Sequence, residues 1–455
     1  MGKAKQNKKK KKAGVPAGSK KMERFGVLYP RSAGIDVGSM LMVVSYTDAQ
    51  DLIHLAQFNG FTSSLYELAE LLQREKVEIV TMESTGSYWM ALHRILELHG
   101  MKVVMINPSH FRNVSAQKTD INDAQWLHKL LTHGLLRESH IAPACYQDLR
   151  HYIHEREIWQ DQKSDTLNRI QNTLTKMNIK FQHLISDIEG VSGMMLLRMI
   201  CSGISDPEKL LSCIDHKRLK ASREDLLKSL EGDYRESLIN ILIQNLKAYD
   251  FFKEQMHSYE LHIEQTLKVL APGIISTKKQ GMVRKNQYHI NLKDYLLAIL
   301  GVDLTAVEGL DEIGLLTILA VTGPDMSKWP TAGHFTSWLN LSPRPKITGG
   351  KLVGYEKRIT HNPATQAFRL AANCLWQSKG PLGQQYRKLA ATKGKAKAIK
   401  AVARKIAVIF YNMVLKQEAY DSSKVQQDVE VQKARKIARL QKEAQKLGLT
   451  LQNAA

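Results

Sequence analysis

Between residues 33 and 106 the chain alternates short β-forming runs with amphipathic helical stretches, in an order that few folds accommodate. Ala33-Gly34-Ile35-Asp36-Val37-Gly38-Ser39 reads as a buried strand ending in a glycine turn, and Met40 to Tyr46 carries the β-formers of its hairpin partner. A third strand is expected at Leu52 to Phe58. Leu65, Leu68, Ala69 and Leu72 then fall at the spacing of a helix with one apolar face. Val77 to Glu83 reads as a strand before Ser84-Thr85-Gly86, a helix follows around Leu92, Ile95 and Leu96, and the strand Lys102 to Ile106 is closed by Asn107-Pro108. Strand, strand, strand, helix, strand, helix, strand predicts an α/β domain over residues 29–138.

Four carboxylates occupy chemically informative places in this pattern. Asp36 sits centrally in the first strand, and Glu83 closes a strand at its carboxyl end, where ligands gather in open α/β sheets. After a basic connection through Phe111-Arg112 and Lys118, Asp120-Ile121-Asn122-Asp123 opens a helix whose buried stripe is Ala124, Leu127 and Leu131. Asp120 and Asp123 are three apart and point the same way from its first turn. Acids in a first turn are also ordinary, because they complement the helix dipole; the combination of four is what marks a metal site. Grouped carboxylates repel and partly protonate unless cations sit among them. Magnesium, or manganese, takes oxygen ligands, and such ions can stabilise both attacking and leaving oxygens of a phosphoryl displacement.

The charge balance points to the substrate class. With 65 basic against 44 acidic residues the net charge is +21, which favours a polyanionic partner. The first 24 residues contain nine lysines, including the unbroken run Lys8 to Lys12, and residues 1–28 read as a disordered basic tail. Those lysines account for less than half of the excess, so the folded body is basic in its own right. No apolar run approaches the ~18 residues of a membrane span, and no hydrophobic segment follows the lysine-rich start. A cytoplasmic, nucleoid-associated protein is expected. Cys145, Cys201, Cys213 and Cys374 form no CxxC pair and read as reduced thiols. The 16 histidines lack HExxH or similar spacing, and none is assigned as a ligand.

Residues 139–299 read as a helical arm with an insert. From Tyr146 to about Ile188 the chain is glycine-free and polar, with Leu167, Ile170, Leu174 and Met177 as a coiled-coil seam. A second helix is expected from Ser237 to Leu270, with Phe252, Met256, Tyr259, Ile263, Leu267 and Leu270 as its stripe, and Pro272-Gly273 as its stop. The two are expected to pair antiparallel; such a stripe is more often an intramolecular core than an oligomer interface, though a helical arm between two domains is also a natural dimerisation device. Lys278, Lys279, Arg284 and Lys285 are phosphate contacts or a solvated face. Residues 300–418 form a mainly α-helical second domain. There the glycines of Val307 to Leu316 sit between two apolar helical stretches, and Arg344-Pro345-Lys346-Ile347-Thr348-Gly349-Gly350-Lys351 surrounds a hydroxyl and two glycines with cations. Glycines let backbone approach phosphate closely. Arg358, Asn362 and Arg369 accompany an alanine-rich helix, and Lys393 to Lys405 lay a basic stripe on another. Residues 419–455 read as a basic helical tail with Ile437, Leu440, Ala444 and Leu447 at heptad-like spacing.

Taken together, GIDVGS, MESTG, KTDINDA, the glycine-rich hairpin, NLSPRPKITGGK and the helix through RLAANCLW resemble the DEDD-type insertion-sequence transposases, a family that includes the Piv-like DNA invertases. The resemblance spans about residues 30 to 420. It implies an RNase H-like (RuvC-like) N-terminal domain, a coiled-coil arm and a C-terminal transposase domain. It further implies a site-specific recombinase that excises and inserts a mobile element, with Asp36, Glu83, Asp120 and Asp123 holding Mg2+ and a hydroxyl before the glycine pair attacking DNA. A structured noncoding bridge RNA would choose the sequences by base pairing, and the protein would act as a homodimer or homotetramer.

The chain departs from the pattern at one position, because Thr348 stands where the family has serine. The methyl group crowds in-line attack, and a threonine hydroxyl needs activation; Thr348 remains the first candidate and Ser342 the second. Arg344, Lys346, Lys351, Arg358 and Arg369 are candidate phosphate contacts, with ordinary surface charge as the competing reading for each. Two other functions fit the same residues. A RuvC-like structure-specific endonuclease would hydrolyse DNA without a protein nucleophile, and an inactive nucleic-acid-binding relic would bind without cutting.

Overall fold

The computed structural model describes residues 26–84, 86–106, 119–136, 138–215, 219–274, 286–356, 361–446 and 448. The chain divides into two compact units, residues 1–141 and 142–455.

The first unit is built on a mixed sheet. Its elements run β1 Ser32–Val37, β2 Leu41–Thr47, β3 Ile53–Asn59, α1 Thr62–Arg74, β4 Ile79–Glu83, α2 Trp89–Leu98, β5 Lys102–Ile106 and α3 Asp120–Thr132. Each expected strand and helix is present, with ends moved by at most three residues. The sheet order is β3-β2-β1-β4-β5. β1, β2 and β3 form an antiparallel meander, whereas β4 lies parallel to β1 and β5 parallel to β4. The Gly38 N–H donates to the Leu41 carbonyl at 2.9 Å and closes the first hairpin.

Pleating divides the strand residues between two cores. Ala33, Ile35, Val80 and Met82 pack with Leu65, Leu68 and Leu72 of α1 and Leu92 and Leu96 of α2. Ile79, Val104 and Ile106 face the other way, onto Leu127 and Leu131 of α3. Each such leucine contributes roughly 1.5–3 kcal/mol through burial, which is why the spacing of four apolar residues suffices to place α1.

The second unit is helical, with α4 Ala144–Lys176, α5 Val191–Cys201, α6 Pro207–Ser212, α7 Arg223–Leu230, α8 Glu236–Leu270, α9 Leu292–Leu300, α10 Glu312–Thr322 and α11 Ala332–Trp338. A hairpin of β6 Pro345–Thr348 and β7 Lys351–Tyr355 follows, then α12 Pro363–Asn373, α13 Pro381–Lys393, α14 Lys395–Lys416 and α15 Ser422–Lys446. α4 and α8 run antiparallel: Tyr152 stacks on His262, Arg156 pairs with Glu260, and Trp159 stacks on Phe252. α4 ends well short of Ile188, because Asn178 turns into the left-handed region (φ 57°) and a short 3-10 turn follows at Phe181–His183. The absence of glycine over that stretch was therefore a poor guide, since asparagine also adopts this conformation.

The two ends of the α4–α8 pair lie in different cores. Leu167, Ile170, Leu174 and Met177 are buried with α5, α6 and α7. Tyr146, Leu149, Ile153, Ile263 and Leu267 join one core with α9 to α14. At its centre Phe335 sits against Trp329 (4.9 Å between ring centroids), Phe410 and Tyr411, and the Tyr411 hydroxyl donates to the Trp329 carbonyl at 2.6 Å. The four cysteines are free thiols. Among the described residues no helix is long and apolar enough to cross a membrane.

Candidate active site

The parallel register of β1 and β4 pairs Ile35 with Met82, so Asp36 and Glu83 follow one step further along neighbouring strands. Both alternate onto the α3 face, Asp36 with Gly34 and Glu83 with Ile79. Beyond Glu83 the chain is pinned by Ser84, whose N–H and hydroxyl both donate to the Ile106 carbonyl at 3.1 Å.

Helix α3 descends along β1 with its first turn at this same end. Ser32 Oγ meets Thr132 Oγ1 at 3.0 Å. Further along, a Cβ on Gly34 would stand 2.3 Å from the His128 amide nitrogen and 2.6 Å from the Ala124 carbonyl oxygen. Only glycine allows the helix backbone to lie on the strand. Continuing that path by one more strand step brings the turn carrying Asp120 and Asp123 toward Asp36. Thr119 caps the helix by accepting from the Asn122 N–H at 3.2 Å. Asp36, Glu83 and Asp123 are half-buried and Asp120 is exposed. No three of these four carboxylates bring donor atoms within 4.8 Å of one another. Among the described residues, the set of three metal-type side chains with donor atoms all within 4.8 Å is His257, Glu260 and His289.

His128, one turn beyond Ala124, went unremarked in the sequence. It is buried between β2 hydroxyls, Ser45 Oγ at 3.0 Å from Nδ1 and Thr47 Oγ1 at 3.1 Å from Nε2. Burial drives its pKa down to about 4, because the charged ring would lose water that two neutral hydroxyls do not replace. It therefore remains neutral at pH 7 and locks α3 to the sheet.

Thr348 belongs to the other unit. It pairs with Lys351 across a two-residue turn in which Gly349 (φ 56°) and Gly350 (φ 76°) both adopt left-handed backbone. That is the hairpin turn glycine pairs favour, and it joins two short antiparallel strands that the sequence did not announce. Thr348 is exposed beside the turn, as are Lys346 and Lys351. Ser342 lies at the hairpin's base, 3.0 Å from Thr336 Oγ1, so the runner-up hydroxyl is tied into the scaffold. Arg344 reaches Ser337 Oγ at 3.5 Å, Arg369 is exposed and reaches Gln366 at 3.4 Å, and Arg358 lies outside the described residues, as do Arg112, Lys118, Lys278, Lys279, Arg284 and Lys285. Asn362 caps α12. In the α9–α10 connection Gly309 meets the Ala371 carbonyl of α12, and in the first turn of α10 the Gly314 N–H is already taken by the Asp311 carboxylate at 2.8 Å. These two glycines serve packing and capping.

Residues 33–179, which take in the sheet, α3 and the whole of α4, match the family model described as Transposase, of the DEDD type found in insertion sequences. Over this region the chain is similar to the DEDD-type insertion-sequence transposases. No curated protein matches it. A transposase acts on DNA, a partner that the net charge of +21 suits.

Proposed function

We propose that this protein is a site-specific recombinase that excises and inserts a mobile element, using a RuvC-like carboxylate centre and Thr348. The observation that carries this reading is the register of β1 and β4, which sets Asp36 beside Glu83 at the strand end approached by the first turn of α3. The strand order, with an antiparallel meander extended by two parallel strands, supports the RNase H-like assignment. The donor set is entirely carboxylate oxygen, which fits a hard divalent cation such as Mg2+ or Mn2+. Asp36, Glu83, Asp120 and Asp123 would hold it, and when bound it supplies charge stabilisation to the attacking and leaving oxygens of a phosphodiester.

The remaining chemistry falls to the chain. Thr348 Oγ1 attacks the DNA phosphorus, a phosphothreonine ester replaces one DNA ester bond, and the threonine proton passes to solvent while a DNA hydroxyl departs. A DNA hydroxyl later reverses the exchange. One ester replaces another, so no nucleotide cofactor is needed. Arg344, Lys346, Lys351, Arg358 and Arg369 would hold phosphates, and a structured RNA of the element would choose the sites by pairing, in a homodimer or homotetramer.

The test is a denaturing gel for a protein–DNA adduct, with junction DNA, Mg2+ and the element's RNA. Wild type should form the adduct, Thr348→Ala should lose it, and Asp36→Asn should lose it while still binding DNA. Cleavage without an adduct in both wild type and Thr348→Ala would identify a hydrolytic nuclease instead.

A further inference from the structure

Away from the sheet, one cluster has the composition of a transition-metal site. His257 and Glu260 are three apart on α8 and share a face, and His289 comes from the segment just before α9; one ligand atom of each lies within 4.8 Å of the other two. The Glu260 side chain is 2% exposed. Its Oε1 accepts from Arg156 Nε at 2.9 Å and Nη2 at 2.6 Å. Its Oε2 accepts from the His289 backbone N–H at 3.1 Å and faces His289 Nδ1 at 2.7 Å and His257 Nδ1 at 3.9 Å. The carboxylate is thus held from behind while both imidazoles, edge to face at 5.5 Å, are more than half exposed.

We propose that His257, Glu260 and His289 bind one transition-metal ion of the Zn2+ type, fastening the segment before α9 onto α8. Two imidazole nitrogens and one carboxylate oxygen suit Zn2+, Co2+ or Ni2+ and are a poor set for Mg2+. Ligands about 2.0–2.1 Å from a tetrahedral ion lie roughly 3.3 Å apart. The contacts of 2.7 and 3.9 Å bracket that separation, and rotation of two solvent-facing rings reaches it. On binding, the proton between His289 Nδ1 and Glu260 leaves or moves to the other ring nitrogen, and water completes the sphere. Arg156 and the His289 N–H are the outer partners that keep such a carboxylate oriented. Its ligands come from α8 and from the segment before α9, so the ion would act as a structural fastener between them.

The experiment uses the full-length protein, freed of metal by chelator and dialysed against Zn2+ or Co2+ in excess Mg2+, without DNA. Wild type should take up one equivalent, give the visible bands of histidine-ligated Co2+, and melt at a higher temperature with Zn2+. His257→Ala and His289→Ala should each weaken binding by more than the roughly 10–100-fold typical of losing an outer partner, whereas His151→Ala, at an exposed histidine elsewhere, should not. Absence of stoichiometric uptake by wild type, or uptake unchanged in both variants, would overturn the proposal. Neither variant touches the sheet-end carboxylates, so this result is independent of the adduct assay.

Discussion

Arg156 and Glu260, each 2% exposed and joined at 2.6 Å, put a complete ion pair inside a helix pair, with the Tyr288 ring 3.9 Å from the guanidinium. Such a pair stabilises little in net terms, yet removing one member strands the other charge. Arg156→Ala should therefore lower stability by about 3–5 kcal/mol, read as a reduced midpoint in urea. His128 gives a pH effect of defined sign. Its folded pKa of about 4 lies below the 6.5 of a free histidine, so its contribution is present above pH 6.5 and is lost as pH falls toward 4. The span corresponds to about 3 kcal/mol. Urea titrations across that window should show wild type losing more stability than His128→Asn. At this scale sequence reading was uneven. The four carboxylates stood out because strand ends and helix starts are locally encoded, whereas His128 and the His257–Glu260–His289 cluster depend on contacts between distant segments, which no local spacing records.

Among the elements, α3 is the one that connects fold to site. Its apolar stripe was legible, but its seat on β1 rests on Gly34, which the sequence presented merely as part of a strand. Gly34→Ala should lift α3 from the sheet, lowering stability by about 3 kcal/mol or more and weakening the divalent-metal binding proposed for the carboxylates. Unfolding in urea and Mn2+ titration would measure the two effects. Modest loss of stability with metal binding intact would contradict the geometry. The hairpin of β6 and β7 was not legible as strands: Ile347, Leu352, Val353 and Tyr355 are all exposed, so neither face carries the alternation that marks a half-buried strand.

At the level of the whole molecule, a charge of +21 spread beyond the lysine-rich start predicts a strong salt dependence. Affinity for nonspecific duplex DNA should fall by about a thousandfold or more between roughly 50 and 200 mM salt. Deleting the first 24 residues should leave most of that slope, as fluorescence anisotropy would show. The sequence by itself determined the element order of the sheet unit, the two long helices and the acidic and basic endowments, because periodicity, turn residues and charge act over a few neighbouring positions. Only the tertiary structure decided that Asp36 stands beside Glu83, that the ends of the α4–α8 pair serve two cores, and that Glu260 meets Arg156 and two histidines. Those outcomes follow from strand register and helix packing, which are settled when residues tens to hundreds of positions apart compete for the same buried space.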